Sequence, residues 1–289
     1  MATKREVDAA TQTETTGHEW DGIRELDTPM PRWWLLAFYA TIVWGVVYVI
    51  LFPAWPLVHG ATAGVLGYSS RGDVARELAA VAEANAPRDA ALMAADFDQI
   101  KADPDLLAYA TAGGAAVFRT NCQQCHGAGG GGVSGLYPNL VDDDWLWGGT
   151  LAEIEQTVTH GIRYEDDPDT RFSQMPAFGE MLEPAQIDDL MQYVLSLSGS
   201  EHDATMAAAG APLFQENCSS CHGEDGTGGR EFGAPKLTDA IWLYGGTPEA
   251  IRLTITKAHF GVMPAFGNRL SPSAIRKAAI YVNTLGGGE

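Results

Sequence analysis

Hydrophobic and polar positions divide the chain into an apolar block, an alanine-rich polar stretch and a long region with helical periodicity. The block is "WWLLAFYATIVWGVVYVILF", Trp33 to Phe52, 20 residues without a charge. At about 1.5 Å per residue this covers the roughly 30 Å of a bilayer's hydrocarbon core, so it predicts one transmembrane α-helix. Trp33, Trp34, Tyr48 and Trp55 stand where the two interfaces fall, and Pro31, Pro53 and Pro56 punctuate the flanks. A signal peptide fits less well, because 32 residues with seven acidic and four basic side chains precede the run, which is also longer than an h-region. The segment reads as an uncleaved anchor. Asp73 to about Ala102 has good helix propensity with a break expected near Pro87, and reads as a stalk. Met1 to Thr16 is polar and expected to be disordered.

From about Asp105 the chain repeats itself. "NCQQCHG" at Asn121 returns as "NCSSCHG" at Asn217, "YPNL" at Tyr137 as "APKL" at Ala234, "WLWGGT" at Trp145 as "WLYGGT" at Trp242, and "TVTHG" at Thr157 as "TITKA" at Thr254. "MPAF" occurs at Met175 and Met263, and "YVLSL" at Tyr193 returns as "YVNTL" at Tyr281. The second copy is shorter between the Thr and Met blocks, where "RYEDDPDTRFSQ" has only "HFGV" opposite. Each copy predicts a helix before the cysteines, a Gly-rich loop after them, a short helix after the Gly-Gly-Thr and a closing helix. Thr150 and Thr247 are expected N-caps, with a capping box possible only at Glu153. No alternating strand pattern of useful length appears.

The fold expected is all-α: two tandem cytochrome c-like domains, 105–200 and 201–289, tethered by one transmembrane helix at 33–55. A juxtamembrane segment at 1–32 precedes the helix and a linker or stalk at 56–104 follows it. Two cores of this size are small, and a cofactor filling each centre would stabilise them.

Charge changes the picture in one respect. With seven acidic and four basic side chains before the span, the 37 and 18 of the whole chain leave 30 and 14 after it, a net of minus 16. That argues against nucleic acid as a partner and towards basic or dipolar ones, although acidity also simply keeps a domain soluble. Lys4, Arg5, Arg24 and Arg32 before the span lean towards a cytoplasmic amino terminus.

All four cysteines lie in two Cys-x-x-Cys-His motifs: Cys122, Cys125 and His126, then Cys218, Cys221 and His222. On one helical turn two thiols can each add to a vinyl group of one haem while the adjacent imidazole faces the iron, so the spacing points to two covalently attached haem c groups. A zinc site is disfavoured by the 96-residue separation and the contiguous histidines, and thioredoxin-like redox chemistry wants a βαβ setting that is absent. Disulfides across Cys-x-x-Cys fit still less. Met175 and Met263 are the candidates for the sixth iron position. Each precedes a proline that holds it in extended backbone, and they recur at matched places while Met93, Met181 and Met191 do not. A Met/His pair raises the potential and closes the iron to outside ligands. His160 and His259 are rivals, offset from one another in the repeat and better read as surface or haem-edge residues. Whether each methionine serves its own copy or the other is open on spacing alone. Trp145, Trp147, Trp242 and Tyr244 read as propionate donors or apolar walls, and "RYEDDPDTR" as a solvated loop.

With these motifs in view, the chain resembles the membrane-anchored dihaem cytochrome c subunit, subunit III, of cbb3-type cytochrome oxidases. The more specific part of the resemblance is "HEWDGIRELDTPMPRWW" at His18, "FPAWPLV" and "GVLGYSSR" after the span, and "DDDWLWGG" at Asp142. It covers His18 to the carboxyl end and departs in showing one membrane helix where some relatives have two. The resemblance implies electron transfer from a donor cytochrome c or the bc1 complex, through a monohaem cytochrome c subunit, to a haem-copper catalytic subunit that reduces oxygen. It implies no enzyme activity on this chain alone, and a single-pass place in a bacterial inner membrane with the haem domains in the periplasm. It also makes crossed ligation, Met175 to the second haem and Met263 to the first, a live arrangement. A free-standing dihaem carrier or dehydrogenase subunit, and a dihaem peroxidase or gas sensor, are the competing functions.

Overall fold

The apolar block folds as α1 (Arg32–Leu51), a 20-residue helix with no buried residue, in a computed structural model that describes residues 5–289. Its length matches a bilayer's apolar thickness and its exposed face is aromatic and aliphatic throughout, as a lipid-facing helix requires. Among the described residues it is the one helix long and apolar enough to span. Two small hairpins flank it, β1 (Thr15–Trp20) with β2 (Ile23–Leu26), and β3 (Pro56–Leu57) with β4 (Gly60–Ala61). These were not expected. Asp21-Gly22 between Trp20 and Ile23 is the signal for the first, since both residues have positive φ, +51° and +83°, as a type I′ hairpin turn demands. The disorder expected to residue 16 is also corrected for residues 5–16. Asp8 accepts from the Thr11 backbone N–H at 2.8 Å, and Val7 bridges Glu14. Met1 to Lys4 lie outside the described residues.

The chain divides into residues 1–84 and 85–289. α2 (Ser70–Ala94) runs without interruption through Pro87, correcting the expected break. Proline removes one backbone donor and crowds the carbonyl four residues earlier. The last turns of the helix are nevertheless held. Leu92 is wholly buried, Asp89 pairs with Lys277 at 2.5 Å, and Arg276 donates to the carbonyls of Leu92 and Met93, each at 3.2 Å. A cation at a helix carboxyl end is also favoured by the peptide dipoles.

The rest of the second unit is helical: α3 (Phe97–Ala102), α4 (Pro104–Asn121), α5 (Gln123–His126), α6 (Leu151–His160), α7 (Pro184–Leu197), α8 (Ala204–Asn217), α9 (Ser219–His222), α10 (Pro248–Lys257) and α11 (Pro272–Asn283). Thr150 caps α6 with the full capping box to Glu153, and Thr247 caps α10 through the Ala250 N–H alone, as expected.

The helices pair across the repeat. α4 of the first copy packs on α11, the closing helix of the second, and α8 of the second packs on α7, the closing helix of the first. Two matched glycines permit the approach. A Cβ on Gly114 would overlap the Lys277 carbonyl, and one on Gly210 the Asp189 carbonyl. One core joins Phe118, Ile154 and Val158 to Phe266, Ile275, Ala279 and Val282. The other joins Phe178, Ile187, Leu190 and Val194 to Phe214, Ile251 and Ile255. Burying each such side chain contributes about 1.5–3 kcal/mol, so the exchanged pairing rests on most of the apolar contact in this region.

Candidate haem sites

α4 ends at Cys122, which caps it, and the chain turns at once into α5. The amides of Cys125 and His126 donate to the Cys122 carbonyl at 3.1 and 3.0 Å, so both thiols and the imidazole share one turn. α8, Cys218 and α9 repeat this, with Cys221 and His222 donating to the Cys218 carbonyl at 3.2 and 3.0 Å. Gly127 and Gly223, with φ of +77° and +80°, end these turns in backbone that only glycine adopts cheaply. The Gly-rich loop then folds back, Gly132 N–H to the His126 carbonyl at 2.8 Å and Gly228 N–H to the His222 carbonyl at 2.7 Å.

That fold-back delivers a proline carbonyl to each histidine. His126 Nδ1 lies 3.1 Å from Pro138 O and His222 Nδ1 lies 3.0 Å from Pro235 O. A carbonyl only accepts, so Nδ1 carries the proton and Nε2 keeps its lone pair. Burial pushes both imidazoles below their ordinary pKa, with the carbonyl bond partly opposing it, so they stay neutral and able to ligate. The four thiols are free of disulfides. Burial, with the neighbouring thiol, pushes Cys122 and Cys218 up to about 11, so both are protonated thiols at neutral pH. Among the described residues, the only cluster of three side chains close enough to share an ion is His160, Asp167 and Asp169, and it contains no cysteine. Paired thiols on one turn, beside an imidazole whose Nδ1–H is held by a proline carbonyl, fit haem c.

The two methionines sit opposite to their sequence order. Met263 packs on the core that contains Phe118, beside Cys122 and Trp145. Met175 packs on the core that contains Phe214, beside Cys218 and Trp242. Thus the structure brings Met263 to the first Cys-x-x-Cys-His and Met175 to the second. The rivals are engaged elsewhere: His160 Nδ1 faces Asp167 at 3.1 Å, and His259 stacks on Tyr244 with centroids 3.8 Å apart while its Nε2 meets Thr254 Oγ1 at 3.2 Å. Trp145 donates its indole N–H to the Gly287 carbonyl.

Sequence reasoning passed over two arginines in the "RYEDDPDTR" loop. Arg171 Nη1 donates to Trp147 O at 2.8 Å and Thr157 Oγ1 at 2.7 Å, while Arg163 donates to Ser173 O at 2.5 Å and Gly261 O at 3.0 Å. Both guanidinium groups lie over Trp147, at 5.9 and 5.8 Å, and burial lowers both pKa values without discharging either group. The loop is solvated only at its middle. Its ends are held, with Arg163 N–H donating to Arg171 O at 2.8 Å.

Residues 12–59 match the model described as the N-terminal domain of cytochrome oxidase-cbb3, FixP, and residues 110–194 and 205–282 match that of cytochrome c oxidase, cbb3-type, subunit III. The chain is 58% identical over 277 residues to the cbb3-type cytochrome c oxidase subunit CcoP of Cereibacter sphaeroides, covering 95% of both chains. The chain belongs to the cbb3-type oxidase subunit III family. It is 52% identical to the subunit FixP of Azorhizobium caulinodans, over 98% of this chain and 96% of the relative, and 53% identical to the CcoP of Rhodobacter capsulatus, over 99% and 98%. As a member of the subunit III family it is a membrane-anchored cytochrome c with two haem c groups, one for each matched repeat.

Proposed function

We propose that the chain relays electrons along two six-coordinate haem c sites, from a donor cytochrome c or the bc1 complex towards a monohaem cytochrome c subunit and the haem-copper subunit of the oxidase. Cys122 and Cys125 would hold one haem through thioethers, and His126 Nε2 and Met263 would be the residues that ligate its iron. Cys218, Cys221, His222 and Met175 would do the same for the other. When bound, each group supplies one-electron iron chemistry at a potential raised by the Met/His pair. The protein's own residues do the rest. The proline carbonyls fix the histidine tautomers, the exchanged cores keep water from the apolar sides, and the methionine loops leave no open position for substrate. α1 anchors the chain in the bacterial inner membrane, with the haem domains in the periplasm.

The observation that carries this reading is the matched pair of sites, each with an Nδ1-fixed histidine and a methionine packed beside its cysteine. A relay needs both irons closed, whereas a peroxidase or sensor needs one open. The test is mild-detergent solubilisation of native membranes, with a haem count and carbon monoxide titration of the reduced protein. Two haem c per chain, co-migration with a haem-copper subunit and no ready carbon monoxide binding are expected. Migration without an oxidase partner would favour a free-standing carrier, and ready binding at one haem would favour a peroxidase or sensor.

A further inference from the structure

Arg163 stands where the two methionine loops meet. Its Nε donates to the carbonyl of Ser173, two residues before Met175, at 2.5 Å, and its Nη1 donates to the carbonyl of Gly261, two residues before Met263, at 3.0 Å. These are equivalent positions of the repeat, so one guanidinium grips the same point of both loops. Its plane is set by Trp147 at 5.9 Å on one copy and Phe260 at 5.6 Å on the other. Among the described residues no carboxylate lies within ion-pair distance of it. The residue also has φ +54°, a left-handed conformation that is unfavourable for a non-glycine residue and that the surrounding contacts must hold in place. Half-buried, charged and backbone-strained, it is poorly explained as a solubilising loop residue.

We propose that Arg163 is a positioning residue shared by both haem sites, its fork fixing the two methionine loops to one another so that axial ligation at the two irons is set jointly. The inference rests on methionine ligation at both haems. A planar fork with two divergent N–H groups can hold two carbonyls at once, and a lysine ammonium on a flexible stem does so with less orientation. A positive charge close to both loops also favours the reduced iron at each site.

The experiment uses the full chain in the assembled oxidase, with Arg163→Gln, Arg163→Lys and, as a control away from the loops, Arg276→Gln. The readouts are the two haem midpoint potentials and the far-red methionine–iron charge-transfer band of the oxidised protein. Arg163→Gln is expected to shift the oxidised-to-reduced ratio of both haems about tenfold towards the oxidised form, about 59 mV for one electron, and to weaken the band. Arg163→Lys, which keeps the charge, is expected to recover most of the potential and less of the band. Arg276→Gln is expected to lower stability and leave both potentials in place. Wild-type potentials in Arg163→Gln, or a shift at one haem alone, would overturn the shared role. Met175→His and Met263→His separate this from its premise: if each removes its share of the band while Arg163→Gln is silent, the clamp alone fails. If neither changes the spectrum, methionine ligation fails and the clamp with it.

Discussion

The Met263 and Met175 loops carry the same four residues and are held by different means. Met263 exchanges two backbone hydrogen bonds with Ile162, at 2.9 and 3.0 Å, and the loop continues with Phe266 N–H to Val158 O at 3.0 Å and Gly267 N–H to Thr159 O at 2.9 Å. It is stitched to the end of α6 by main chain. Among the described residues Met175 itself makes no such backbone exchange, although Gly179 approaches the Thr256 carbonyl as Gly267 approaches that of Thr159. The Met175 loop is held by Phe178 in the core, by Arg163 on Ser173 O, and by the Ser173 hydroxyl on Phe232 O. The longer first-copy insertion makes the difference. It brings Arg163 and Arg171 into place as side-chain ties, where the short "HFGV" connection leaves no such residues. Two copies of one motif therefore differ at the methionine itself: Met263 is paired to Ile162 by main chain, and the segment before Met175 is tied by the side chains of Arg163 and Ser173.

The comparison is broken most severely in the cores. Phe118 and Phe214 are equivalent and wholly buried, one beneath each site. Either Phe→Ala change is expected to cost about 3–5 kcal/mol in denaturant unfolding of the haem-loaded protein. The partner of each is the sharper measurement. Under exchanged packing, Phe118→Ala combined with Met263→Ala departs from additivity by about 0.5–3 kcal/mol, and combined with Met175→Ala it adds. The opposite pattern would put each methionine back in its own copy.

A smaller change isolates the backbone-held loop. Gly161 has φ +70° and ψ −168°, a region open essentially to glycine, and a Cβ there would overlap the Met263 carbonyl. Gly161→Val is expected to cost of order 1–3 kcal/mol from conformation alone and to remove more of one haem's share of the far-red band than of the other's. Equal loss at both haems would mean that the Arg163 tie, and not the Ile162–Met263 main-chain pair, sets the position of the Met263 loop.

The parts legible in the sequence are those that depend on neighbours within a turn. Cys122, Cys125 and His126, Thr150 with Glu153, and the uncharged run of α1 each carry their own geometry. Asp21-Gly22 marks a hairpin by the same local logic, although no strand was expected there. The exchange of closing helices was not legible, because "YVLSL" and "YVNTL" present nearly the same apolar face to α4 and α8, and the choice between them is made by long-range packing. Arg163 and Arg171 were hidden for a related reason. Charged residues in an acidic loop read as solvated until Trp147 and Phe260, distant in sequence, supply a surface to cover them. Pro87 was misjudged because the docking of Leu92 and Asp89 outweighs a local preference.

The mildest difference between the copies is electrostatic. Asp144 precedes Trp145, and its counterpart before Trp242 is Ile241. Burial, then the charges of Asp239 and Asp142, raises the Asp144 carboxyl from 3.8 to about 6, with Lys236 opposing. A raised carboxylate pKa means that the fold prefers the protonated acid, so its favourable contribution is complete below about pH 4 and is lost as pH rises through about 6. At neutral pH the first copy therefore carries a penalty that the second avoids. Discounted for solvent screening at a partly exposed site, the effect is about 1 kcal/mol. Asp144→Asn, uncharged at every pH, is expected to be more stable than the wild type at pH 7.5 and to lose that advantage at pH 4. Other carboxylates titrate in the same interval, Glu153 and Asp89 with pKa values lowered and therefore with the opposite slope, so the informative quantity is the difference between variant and wild type at each pH. A difference that stays constant from pH 4 to 7.5 would show that Asp144 is ionised normally and that the two copies are electrostatically alike at this point.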